Sequence, residues 1–180
     1  MRRALLGVSV ACAVIAVVTP VGAQDLKEPV PGPEVKKLDF YVGSWQDEAE
    51  FQATPFSPAG KMTGTSKCEW FPGGFYVVCQ MEDQGVKGAT TTLLILAYDP
   101  VKKHYTAYSI DSRGHTGATI GSESNGTWTW VGEESLGTDR VSFRIINAAV
   151  SPTEVSAQVE TSSDGRNWKT VGQGRSLKVK

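Results

Sequence analysis

The sequence has little of what catalysis and metal binding draw on most. Its 180 residues include two histidines, His104 and His115, and three cysteines. There is no His-x-His or Cys-x-x-Cys spacing, so the three or four convergent ligands of a zinc site are not supplied. A Gly-x-Ser-x-Gly elbow and a phosphate-cradling glycine loop are also missing, which removes common hydrolase and nucleotide-binding signatures. Charge of one sign is lacking too. Eighteen Lys and Arg against nineteen Asp and Glu leave −1, without the clustered basic footprint of a nucleic-acid binder. Beyond the first 24 residues no apolar run approaches the roughly 20 residues a spanning helix needs. What is present is 40% hydrophobic residues, 19 glycines, six Phe, five Trp and five Tyr. That content sustains a core, excludes wholesale disorder and suits a single domain rich in short strands and tight turns.

The one long apolar stretch is N-terminal. Arg2 and Arg3 precede an apolar run over 4–18, and Val21-Gly22-Ala23 puts small residues after Pro20. This pattern reads as a signal peptide over 1–23, cut after Ala23. The run is too short for a spanning anchor, and Cys12 has no leucine three positions before it to make a lipoprotein site. Cleavage leaves 157 residues with 16 basic and 19 acidic side chains, a charge of −3, and only Cys68 and Cys79. The expected location is the periplasm or the medium, with no stable membrane insertion once the signal is cut. Residues 24–33 hold three prolines and read as a flexible leader. The folded domain is expected over 34–180.

The two remaining cysteines flank Pro72-Gly73-Gly74. A hairpin centred between the glycines sets Cys68 opposite Cys79 and Trp70 opposite Val77. Opposed residues of an antiparallel pair lie about 4.5–5.5 Å apart at Cα, which suits a disulfide; an even pair in an exported chain points the same way.

The remaining pattern is a series of strands. Pro33 opens a short helix with Val35 and Leu38 at i, i+3 spacing, ended by Gly43. From Trp45 the period is two, with Ala49, Phe51 and Ala53 alternating against Gln46, Glu48, Glu50 and Gln52. Further strands are predicted near 61–71, 75–83, 91–98, 104–111, 115–123, 126–132, 139–147, 153–162 and 168–179. Asn125-Gly126 and Asp164-Gly165 are hairpin signals, since both central positions accept positive φ. About ten consecutive antiparallel strands imply an all-β meander closed into one barrel rather than left with two edges.

A short helix followed by Gly43-Ser44-Trp45 resembles the opening of the calycin, or lipocalin-like, barrels. The wider pattern is Pro31-Gly32-Pro33-Glu34, Leu38-Asp39-Phe40, Val42-Gly43, Trp70 before Gly73-Gly74, Tyr98-Asp99 with Lys102 and Tyr105, and Asp164-Gly165. Together these resemble a bacterial, often secreted, lipocalin-like family known as domain of unknown function number 1579, over roughly 31–180. The resemblance implies a barrel with a cavity and transfers no catalytic residue. It implies that Trp45 plugs the closed end under a cation from the last strand, Arg175 first and Lys178 second. Nitrobindins, small barrels of a related group, hold haem through a histidine in a late strand. No histidine follows His115 here, so that role does not carry over.

The expected function is an exported barrel that binds or carries a small hydrophobic ligand. Trp70, His104, Tyr108, Trp128 and Trp130 are the candidate lining residues, with His104 and Tyr108 sharing one strand face. No catalytic residue, metal ligand or cofactor is assigned. Asp111-Ser112-Arg113-Gly114-His115 reads as a polar hairpin tip, because neighbours along a tight turn do not converge as a triad must. Glu48 and Glu50 fall on the solvent face of their strand. Two further readings are a barrel enzyme of isomerase or cyclase type using cavity polar groups, and an exported interaction or inhibitor module. Oligomeric state is not legible.

Overall fold

The computed structural model describes residues 28–54, 58–136 and 139–179. The expected signal peptide over 1–23 and the first four residues of the leader lie outside them. A four-residue helix, α1 (Pro33–Lys36), runs into a 3₁₀ turn over Lys37–Tyr41. Proline at the first helical position costs no hydrogen bond, because that amide has no intrahelical partner. Ten strands follow: β1 (Gly43–Phe51), β2 (Gly60–Trp70), β3 (Tyr76–Gly85), β4 (Gly88–Asp99) and β5 (His104–Asp111). Then come β6 (Thr116–Ser124), β7 (Thr127–Leu136), β8 (Asp139–Ser151), β9 (Glu154–Ser162) and β10 (Lys169–Val179). Each pairs antiparallel with its chain neighbours, and β1 pairs with β10 to close the barrel. The ring leaves none of the ten strands as an unpaired edge, the hazard that long meanders must manage.

Turn chemistry sets the register. Asn125 and Gly126 both take positive φ, 51° and 76°, the conformation that matches the twist of a tight hairpin. Gly73 and Gly74 do the same between β2 and β3, at 94° and 73°. Their register pairs Cys68 with Cys79 directly, and the two form a disulfide with Cα atoms 4.0 Å apart. Bulges interrupt the ladder near Thr170–Gly172 and Ala149–Ser151.

The core sits at one end of the barrel, where α1 and the 3₁₀ turn act as a plug. Leu38 is fully buried there with Val77, Leu96 and Trp128. Among the described residues no helix is long and apolar enough to cross a membrane.

Candidate functional site

The floor of the interior is aromatic. The Trp128 and Trp130 rings stack 5.8 Å apart with 8° between their planes. Tyr41 meets Trp128 edge-on at 5.3 Å, and Tyr105 does so at 4.7 Å. Polar handles tie the plug to the wall. Trp130 Nε1 donates to the Tyr41 hydroxyl at 2.7 Å, Trp45 Nε1 to the Tyr41 carbonyl at 2.9 Å, and Trp70 Nε1 to Asp39 at 3.2 Å. The Tyr105 hydroxyl donates to both the backbone carbonyl and the carboxylate of Glu34. Lys37 bridges Glu34 and Glu123, so β6 is held as well. Burial pushes the Tyr41 phenol far above its ordinary range, so it stays a neutral hydrogen-bonding group at any physiological pH.

Above this floor lies a cavity of about 430 Å³. Phe40, Tyr41 and Trp130 bound it on the plug side, with Met81, Leu94, Leu96, Phe143 and Ile145 around the wall. The space persists because β5 and β6 contribute small inward residues, Ala107, Ser109, Gly117 and Thr119. Glycines elsewhere are filled by their neighbours. A Cβ on Gly121 would lie 2.5 Å from the Trp130 ring, and one on Gly132 would lie 2.7 Å from Phe143. Glycine at these two positions is what admits the large rings.

Among the described residues one charged side chain lines the cavity, Asp47 on β1. Ser66 Oγ donates to its Oδ2 at 2.8 Å, and Ser176 Oγ donates to its Oδ1. Asp83 on β3 is two strands round from Asp47, with Gly64 of β2 between the two in register. Desolvation, followed by repulsion from Asp47, pushes the Asp83 carboxyl up to about 6. Its Oδ1 is buried without a hydrogen-bond partner.

The residues singled out from sequence fall in different places. Trp130 lines the cavity, Trp128 lies fully buried behind it, and Trp70 holds the plug. His104 and Tyr108 do not line it, contrary to expectation. The inward residues of β5 are Tyr105, Ala107 and Ser109, which puts His104, Tyr108 and Ile110 on the outer surface, Tyr108 at 53% exposure. Alternation in this strand is apolar on both faces, and the larger residues mark the outside.

Arg175 is corrected in the same way. Trp45 pairs directly with Lys178, so Lys178 shares its face, and its Nζ sits 5.0 Å from the centre of the Trp45 ring. Arg175 is an odd number of residues away and forms an ion pair with exposed Glu48 on the outside. Gly43 (φ 134°) completes the arrangement, since a Cβ there would lie 2.4 Å from Lys178 Cε.

Asp111 caps its own hairpin, accepting from the amides of Arg113 and His115, with His115 Nδ1 3.0 Å away. These bonds, the His115 amide foremost, hold its carboxyl below the usual range. Among the described residues no group of three or more His, Cys, Asp or Glu is placed to hold a metal ion. Asp47 is the residue that sequence reasoning passed over. Its signal was available, as a charge on the inward register between Trp45 and Ala49.

Two solved structures share the fold. One is the crystal structure of Rv2717c from M. tuberculosis, at 11% identity and TM-score 0.58, covering 83% of this chain and 99% of that one. The other is the S-type phycobiliprotein lyase CPES from Guillardia theta, at 10% identity and TM-score 0.53, covering 81% and 92%. Likeness at this identity is one of architecture. A search of curated proteins finds no match. The family described as Protein of unknown function (DUF1579) matches residues 30–171, and the chain belongs to it.

Proposed function

We propose that this protein is an exported barrel that binds a small, largely apolar molecule in its interior. The observation that carries the reading is the cavity of about 430 Å³, walled by aromatic and aliphatic side chains and given its room by small residues on β5 and β6. Its size falls in the roughly 300–1,000 Å³ range of small-molecule sites, and a few placed polar groups in an apolar wall are their usual composition. Export is supported by the pattern of residues 1–23 and by the Cys68–Cys79 bridge, which persists in oxidising compartments. The isomerase or cyclase reading drew on His104 and Tyr108 as cavity groups, and both lie outside the cavity.

Native mass spectrometry of the chain, incubated with an extract of small apolar metabolites, tests the proposal. The expected spectrum contains a species heavier than the bare chain by one small molecule, released on denaturation. Bare chain alone, across extracts, overturns the reading.

A further inference from the structure

We infer that the ligand carries a cationic nitrogen, an ammonium or amidinium on an apolar body, and that this group docks on Asp47. The inference rests on the cavity being a ligand site and names the chemistry of what fills it.

The hydroxyls of Ser66 and Ser176 both donate to Asp47, so their hydrogens are committed. Each serine oxygen keeps acceptor lone pairs, and the carboxylate has further acceptor sites beyond these two bonds. The polar corner of the cavity therefore offers acceptors only. A carbonyl or carboxylate brought against it would meet lone pairs, whereas an N–H or O–H group completes it.

Among the described residues no Lys, Arg or His lines the cavity. Among the inward residues flanking Asp47, β2 contributes Ser66 and Gly64, both uncharged. On β3 the charged neighbour is Asp83, which adds a second carboxylate. A Cβ on Gly64 would lie 2.2 Å from Asp83 Oδ1, so that carboxylate lies across the bare glycine towards Asp47. The charged neighbour on β10 is Lys178, and it is engaged over Trp45. The corner carries excess negative charge inside apolar walls, where Coulomb interactions are strongest. A cation relieves it and an alcohol does not. The rest of the ligand has Phe40, Met81, Leu94, Trp130 and Ile145 to pack against.

Isothermal titration of the purified chain at pH 7 with three near-isosteric probes tests this: 1-naphthylmethylamine, 1-naphthalenemethanol and 1-naphthoic acid. The amine is expected to bind about tenfold or more tighter than the alcohol, and the acid weakest. In Asp47→Asn the amine falls to the alcohol's affinity while alcohol binding is retained, which certifies an intact barrel. If that variant does not fold, Asp83→Asn is expected to weaken the amine several-fold and leave the alcohol unchanged. An amine no tighter than a bound alcohol in the native protein overturns the cation and leaves the cavity reading standing. No binding of any probe overturns both.

Discussion

Asp83 keeps its proton to higher pH than a solvated aspartate because folding removes water from it and sets Asp47 nearby. Its carboxyl stands near 6 in the folded protein against an ordinary 3.8. Between about pH 4 and 6 the folded state therefore binds more protons than the unfolded state. Linkage then requires this group's contribution to stability to fall as pH rises through that window and to stay flat above it. Asp83→Asn is expected to lose that slope and to be more stable at pH 7. The gain is about 1 kcal/mol once solvent screening of a half-buried carboxylate is allowed for. Urea midpoints at pH 4, 5, 6 and 7 for both proteins check it, and parallel curves would count against it. Lys178 gives a second residue-level outcome. Lys178→Ala loses the contact over the Trp45 ring and is expected to cost about 0.5–1 kcal/mol. Arg175→Ala, which breaks only an exposed ion pair, should leave the melting temperature nearly unchanged. The sequence already held the means to choose between these cations: once β1 and β10 are paired at Trp45 and Lys178, parity alone assigns Arg175 to the outside. What it did not hold was the register itself, which is set where the first and last strands of the chain meet to close the barrel.

Hairpins were the elements most readable in advance, because glycine and asparagine at fixed offsets specify a backbone rather than a preference. Gly73-Gly74 set the pairing of β2 with β3 well enough to place Cys68 opposite Cys79. Replacing both cysteines by serine is expected to lower stability by about 2–3 kcal/mol, the scale for a short closed loop. Denaturant unfolding of the double variant against the oxidised protein measures it. The plug was less legible. Val35 and Leu38 identified a short helix with one buried face, but nothing local to that helix said that Tyr41 would accept from Trp130 or that Trp70 would bond Asp39. Those contacts join residues far apart in the chain. Leu38→Ala, at a fully buried position, is expected to cost 2–4 kcal/mol, on the order of other buried leucine truncations. Loss of the near-ultraviolet circular dichroism of the tryptophan cluster should accompany it.

Across the whole molecule, closure was legible and most of the cavity's lining was not. About ten short strands with regular turns left a closed barrel as the economical architecture. Whether that barrel is filled depends on which face of each strand turns inward, and β5 shows why this was hidden. Thr106, Tyr108 and Ile110 form the more hydrophobic alternation, yet Tyr105, Ala107 and Ser109 face the interior. A barrel that keeps interior space places small residues inside and tolerates large ones outside, which reverses the usual reading of an amphipathic strand. Ser109 pairs with Gly117, which has no side chain to oppose it, so a phenylalanine at 109 has the cavity to occupy. The most direct test of a ligand-holding interior is therefore calorimetric titration of 1-naphthylmethylamine and 1-naphthalenemethanol into the native protein and into Ser109→Phe. The account predicts one site per chain in the native protein, and its loss in a variant that melts at the same temperature or higher. Equal binding by both proteins, or no binding of either probe by the native one, would contradict it.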